Sequence, residues 1–191
     1  MEGLAPKNIA NILRHFLPHG NDFEVLPITQ GLINDSYKIS FPDRAYFLQR
    51  LNTQIFQNSE DLMFNIGQWQ QSIQGSSLPA PTYLKTTQGP YFAKDEQGHL
   101  WRIQTYIPNA MAYDIAPNEK IAKEAGRLLG HFHHISKNLN THTFKTPIPQ
   151  FQDIHLRWQQ FQQACDQADA NTLQAAQKTI EILQTLQDFA F

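Results

Sequence analysis

Hydrophobic positions along this chain follow two periods, and the change between them divides it. From Lys7 to Leu17, Ile9, Ile12, Leu13 and Phe16 recur at helical spacing behind Pro6, and Pro18-His-Gly20 ends the run. Phe23-Glu-Val-Leu-Pro-Ile28 is the first predicted strand, and Pro27 places it at an edge or a strand end. Tyr37, Ile39 and Phe41 then alternate with Lys38 and Ser40, which is strand period. Pro42-Asp-Arg44 reverses the chain into a third strand that starts at Tyr46. Leu62, Ile66, Trp69 and Ile73 form a helical stripe, with Asn58 or Ser59 as N-cap, acids in the first turn, and Gly75-Ser-Ser77 as the stop. Short strands follow at Tyr83–Lys85, Tyr91–Lys94 and Leu100–Ile107, separated by Gln88-Gly-Pro90 and Gln97-Gly98. After Pro108 no strand pattern recurs. A helix capped by Asn118 runs to about Ile135, with Ile121, Ala125, Leu128, Leu129, Phe132 and Ile135 expected to face inward. Lys137–Gln152 is irregular, and two more helices are predicted over Asp153–Cys165 and Thr172–Phe191.

This order gives an α+β fold: about five antiparallel strands interrupted by one helix, then a helical part. The predicted division is 1–107, a connector at 108–116, and 117–191. The last helix carries no Gly or Asn stop, and Phe189-Ala-Phe191 leaves it an apolar end. That end calls for a cover, through self-association or through further chain.

Composition narrows the function classes. Hydrophobic residues make up 41% and aromatics 12% of 191 residues, which is enough for a real core. A net charge of −2 without a basic stripe argues against nucleic acid as an electrostatically held partner. A single cysteine, Cys165, forbids an intrachain disulfide and a Cys-based zinc cluster. Met1-Glu-Gly-Leu-Ala5 does not read as a signal peptide, and no apolar run approaches the ~18 residues of a membrane span, so the expected location is the cytoplasm. His131 and His134 share a helix face, but no Asp, Glu or Cys joins them at ligand spacing, so packed or capping histidines are expected rather than a metal site.

The candidate chemistry begins at Thr29–Lys38. With a single glycine, Gly31, this stretch is neither a Walker loop nor a Gly-x-Gly-x-x-Gly loop, and on its own residues it is a polar hairpin. Its neighbours change the picture. Gly31-Leu-Ile-Asn-Asp-Ser-Tyr37, Tyr46-Phe-Leu-Gln-Arg50, Leu62-Met-Phe-Asn-Ile66 leading to Leu78-Pro-Ala-Pro81, Ile103-Gln-Thr-Tyr-Ile-Pro108 and Gly126-Arg-Leu-Leu-Gly-His-Phe-His133 occur in that order. Together they resemble a protein-kinase-like phosphotransferase of the aminoglycoside/choline kinase type. Leu48-Gln-Arg-Leu-Asn52, Phe56 and Leu62–Ile66 are most similar to its N-acetylhexosamine 1-kinase branch, which phosphorylates a sugar's anomeric hydroxyl.

The resemblance implies an ATP site with Mg²⁺ and a sugar-like acceptor, and no dedicated nucleic-acid or membrane partner. Gly31, Asn34, Asp35 and Ser36 would cover the phosphates through backbone N–H groups and the Asn34 and Ser36 side chains. Kinases place a Lys on the third strand, paired to a Glu on the helix. Here Gln49 holds that register and Arg50 holds the charge, and alternation puts the two on opposite faces. Asn65 or Glu60 is the expected helix partner. Adenine would pair with backbone groups of Thr105, Tyr106 and Ile107, with Gln104 at the back. No His-x-Asp-x-x-x-x-Asn run with a second metal-binding Asp occurs, so no catalytic or metal-ligating residue is assigned, and the family would place them beyond residue 191. The competing reading is a non-catalytic kinase-fold module that dimerises through its last helix. A choline or aminoglycoside acceptor is a third.

Overall fold

The computed structural model describes residues 6–20 and 22–186. Helix α1 (Pro6–Phe16) precedes a sheet built from β1 (Glu24–Ile28), β2 (Asp35–Ser40), β3 (Ala45–Arg50), β4 (Ala93–Lys94) and β5 (Leu100–Thr105). Helix α2 (Ser59–Ser72) lies between β3 and β4 in the chain. The strands are all antiparallel, in the order β1-β2-β3-β5-β4, so Pro27 sits on an edge strand. The α+β architecture expected from the periodicity is the observed one.

The core follows from strand alternation. Tyr37 opposes Leu48, and Leu48 opposes Ile103, so these residues share one face with Ile39 and Trp101. Ile9, Ile12, Leu13 and Phe16 of α1 pack against that face, and Ile39, Leu48, Trp101 and Ile103 are 0% exposed. Burial of each such side chain stabilises the fold by about 1.5–3 kcal/mol. The opposite face receives α2 at one end, where Met63 packs with Leu51 and Leu100.

The short predicted strands are shorter in the structure. Tyr91–Lys94 keeps only the two residues of β4, and Tyr83–Lys85 keeps one bridge, from Tyr83 to Gln104. Pro79, Pro81 and Pro90 remove N–H groups on either side, so the segment's backbone bonds to β5 are few: Leu84 N–H to Ile103 O (3.0 Å) and Thr105 N–H to Thr82 O (2.9 Å), with Thr82 N–H also donating to Thr105 Oγ1 (2.9 Å).

Helix α2 is clamped on two sides by carboxamides. Gln70 donates to Tyr83 O at 2.9 Å and accepts from Tyr83 N–H at 2.6 Å. Asn65 does the same with Lys145, donating to its O at 2.8 Å and accepting from its N–H at 2.9 Å. Asp61 adds an ion pair to Lys145 Nζ at 3.1 Å. Asn58 holds the N-cap position, but its side chain donates to Thr146 O (3.1 Å) instead of capping.

Helix α3 (Glu119–Ser136) starts where predicted, with Asn118 accepting from Ile121 N–H at 3.0 Å. Its expected inward face is not covered: α3 has no buried residue, and Leu128, Leu129 and Phe132 are exposed. The stripe predicted an apolar side correctly, but only Phe132 finds a ring partner across from it, Trp69 of α2 (6.0 Å between centroids).

The compact units are Met1–Pro147 and Ile148–Phe191, a later division than the change of period at 108–116 suggests. The clamps from α2 to residues 145–147 tie that segment into the first unit. A 3-10 turn, Thr141–Thr143, interrupts the segment expected to be irregular. The second unit holds α4 (Ile154–Gln167), capped by Asp153, and α5 (Ala170–Thr185), capped by Asp169. A backbone N–H from Thr172 leads the interactions that hold the Asp169 carboxyl below its usual range. The predicted apolar end at Phe189–Phe191 lies outside the described residues. Cys165 is a free thiol on α4. Among the described residues no helix is long and apolar enough to cross a membrane.

Candidate functional site

Antiparallel register builds a polar row across the face of the sheet opposite α1. Ser36 opposes Gln49, and Gln49 opposes Arg102, so β2, β3 and β5 each contribute one side chain. Gln49 Nε2 donates to Ser36 Oγ at 3.0 Å. That bond turns Gln49 Oε1 toward Arg102, whose Nε and Nη2 both donate to it, at 3.1 and 2.8 Å. The guanidinium lies 5.3 Å from the Tyr83 ring centroid. Burial pushes the guanidinium pKa below its ordinary range, opposed by the nearby Tyr83. Two residues along β5, on the same face, the Gln104 Oε1 atom is buried and has no hydrogen-bond partner among the described residues.

The expected split between Gln49 and Arg50 is present. Gln49 joins the polar row, while Arg50 Nε donates to Asp35 Oδ2 at 2.7 Å and Arg50 Nη2 also pairs with that oxygen. Arg50 is thus neutralised by the residue opposite it, rather than solvated alone. Neither helix partner expected for this strand reaches it. Asn65 is committed to Lys145, and Glu60 pairs with Lys94 at 2.6 Å. The reason is helical phase: Ser59, Met63 and Gly67 are the buried positions of α2, and Asn65, two residues on from Met63, points away.

The first turn keeps its shape through Asn34, whose Oδ1 accepts from Asn52 N–H at 3.0 Å. That oxygen is therefore occupied. The Ser36 hydroxyl is also engaged, accepting from Gln49 and lying 3.4 Å from Asn34 O. Of the groups expected to cover phosphates, the backbone around Gly31 is the least encumbered: an added Cβ there would meet only Asn34 O, at 3.9 Å. The turn, with Asp35, Arg50 and His99, lines a cleft of about 420 Å³.

At the end of β5 the backbone donors are partly spent. Thr105 N–H bonds Thr82 O at 2.9 Å, and Tyr106 N–H bonds Ala45 O at 3.1 Å. The Ile107 N–H takes no partner among the described residues, and Ile107 is 42% exposed. Adenine pairing through the Thr105 or Tyr106 N–H is thus closed in this conformation. Lys38 Nζ sits 4.7 Å from the Tyr106 ring centroid on the adjoining row.

Sequence reasoning missed Arg102 and Gln70. Arg102 lies inside the strand predicted at Leu100–Ile107, and period-two alternation from Leu100 sets it beside Gln104; the cross-strand register that brings it to Gln49 is the part no local pattern carries. Gln70 recognises backbone, which leaves no complementary residue to notice. Among the described residues no three His, Cys, Asp or Glu side chains converge as a metal site. His133 instead meets the Phe132 ring edge-on at 5.8 Å.

The family model described as "Phosphotransferase enzyme family" matches residues 24–190. Two solved structures share the fold. One is a protein from Ralstonia eutropha JMP134 designated an aminoglycoside phosphotransferase, with TM-score 0.52, 15% identity, and 90% of this chain matched to 51% of that one. The other is the amicoumacin kinase hAmiN in complex with AMP-PNP, Ca²⁺ and Ami, with TM-score 0.55, 13% identity, and 97% of this chain matched to 54% of that one. This chain therefore spans about half the length of both structures. With the family model covering the sheet and every helix after it, the chain belongs to the phosphotransferase enzyme family.

Proposed function

We propose that residues 1–107 form the nucleotide-binding lobe, 108–116 the hinge and 117–191 the first part of the helical lobe of an ATP-dependent small-molecule kinase. The observation that carries this reading is the polar row Ser36–Gln49–Arg102 on the face of the sheet opposite α1, in a chain of this family. The buried, unpartnered Gln104 oxygen supports an acceptor role toward a bound base, and the Ile107 N–H supports a donor role. Gly31 and its neighbours would lie over the phosphates.

ATP fits these donors and acceptors. A nucleotide supplies the transferable phosphoryl group; the residues here bind and orient it. Mg²⁺ has no matching carboxylate cluster among the described residues, and its ligands and the catalytic base are assigned to chain outside these 191 residues. The N-acetylhexosamine-type acceptor rests on Leu48-Gln-Arg-Leu-Asn52, Phe56 and Leu62–Ile66.

The test is a phosphate-transfer screen of the protein as the cell makes it against N-acetylhexosamines, other sugars, choline and aminoglycosides. The expected result is ATP-dependent phosphorylation of a hexosamine's anomeric hydroxyl. Turnover with choline or an aminoglycoside alone overturns the acceptor, and turnover by the 191-residue chain alone overturns the assignment of the base. The second reading, a non-catalytic module, draws on the uncovered apolar side of α3. A His-x-Asp-x-x-x-x-Asn pattern encoded after codon 191 decides against it, and a stop codon decides for it.

A further inference from the structure

Arg102 is a half-buried cation with no anion among the described residues. Among the described residues no carboxylate lies within ion-pair distance of its guanidinium. Its polar contacts are the two bonds to one neutral oxygen, Gln49 Oε1, and its other neighbour is the Tyr83 ring. Nη1 donates to nothing among the described residues. A guanidinium partly withdrawn from water normally gains a carboxylate, because a charge without a partner becomes costlier the further it is buried. Among the described residues Arg44, Arg50 and Arg127 each pair with a carboxylate, and Arg14 and Arg157, which bond neutral oxygens, are exposed. Arg102 is half-buried and has neither a carboxylate nor full access to water.

The guanidinium is held by a chain of contacts. Ser36 fixes Gln49, Gln49 fixes two edges of the guanidinium, and Gln70 fixes the backbone of Tyr83 beneath it. Those contacts hold the fork in place and leave Nη1 to bind something else. A phosphate oxygen matches that demand in charge and geometry.

We propose that Arg102 supplies the cation that binds the nucleotide's α- and β-phosphates, and that Gln49 is its positioning residue. This rests on the nucleotide reading given above. Kinase-like sheets place that cation on the third strand. Here the third strand carries a neutral carboxamide, and its cross-strand partner carries the charge. Moving the attachment one strand over shifts it by about 4.8 Å. Burial that lowers the guanidinium pKa still leaves an arginine charged at neutral pH.

The test compares adenosine with ADP, by calorimetry, on the protein as the cell makes it and on Arg102→Met and Arg102→Gln. Adenosine carries the base without the phosphates. The expected result is that ADP binding weakens by about tenfold to a hundredfold in both variants, as for the loss of charge-assisted hydrogen bonds, while adenosine binding stays within about twofold. The log–log salt slope of ADP binding should also become shallower. Equal loss for both ligands, or unchanged ADP binding, overturns the role of Arg102 and leaves the nucleotide reading intact. Failure of the unmodified protein to bind either ligand overturns both. Should one variant not fold, the other decides. Gln49→Met should lower ADP affinity by a smaller factor, since it loosens Arg102 without removing it; a loss larger than that of Arg102→Gln would assign the phosphate contact to Gln49 instead.

Discussion

Asp95 shows how much one side chain can organise. Its carboxylate accepts from the backbone N–H groups of Gln97 and His99, from Trp101 Nε1 at 2.9 Å, and meets His99 Nδ1 at 3.0 Å. Burial raises the carboxyl pKa, but the Trp101 and His99 hydrogen bonds outweigh it and hold the group below its usual range. A lowered folded pKa means that the unfolded chain takes up the proton first. Stability from Asp95 is therefore full above about pH 4, the ordinary Asp value, and is lost as pH falls through the lower folded value. Asp95→Ala should cost about 1.5–3 kcal/mol at neutral pH and flatten the acid limb, both read by urea denaturation across pH. Asp35 and Arg50 present a weaker case, with side chains 31% and 30% exposed. A double-mutant cycle of Asp35→Asn and Arg50→Met should give a coupling of about 0.2–1 kcal/mol that shrinks in salt. Individual side chains were legible in proportion to how local their partners are. The Asn118 cap could be read off a few residues. The partner of Gln49 could not, because Arg102 is brought to it by the register of β3 with β5, which depends on the whole sheet.

Elements were easier to read than their neighbours. Helical and alternating periods located α1, α2, α3 and the long strands within a few residues, since burying one face requires them. Periodicity says that a face is apolar and says nothing about what covers it. For that reason the side of α3 expected inward is open, while Asn65, a residue with no apolar logic, became an anchor. Asn65→Ala should release the stretch at residues 145–147. Amide hydrogen exchange at Lys145 is expected to speed up, with a stability loss of about 1–3 kcal/mol, while amides of β3 and β5 keep their protection. Matching loss in the sheet would mean that α2 itself had moved.

The chain as a whole matches about half the length of the similar structures and leaves apolar residues uncovered. Leu129 of α3 is 58% exposed, and Leu183 and Ile182 of α5 are 38% and 50% exposed. The isolated 191-residue chain is expected to self-associate and to bind a hydrophobic dye. Leu129→Glu and Leu183→Glu should each lower the mass measured by light scattering; a monomer at all concentrations would contradict this. The α+β class and the order of elements along the chain were readable because they follow from pattern, whereas the family and the acceptor were read from a resemblance in short motifs. The paired clamps of α2 bear on how such a sequence can drift. A carboxamide that meets a peptide N–H and C=O is indifferent to the side chain that peptide carries. Positions 83 and 145 can therefore change type without losing the clamp, so far as the clamp alone is concerned. Positions 65 and 70 have no such latitude: Asn65→Asp or Gln70→Glu, nearly identical in shape, keeps the acceptor, loses the donor and sets a negative charge against a carbonyl oxygen. For the clamp, tolerance to mutation on the two sides of each bond is thus opposite, and a deep mutational scan of the fold should show positions 65 and 70 as strict, and positions 83 and 145 as constrained through their own side-chain contacts, Tyr83 with Arg102 and Lys145 with Asp61.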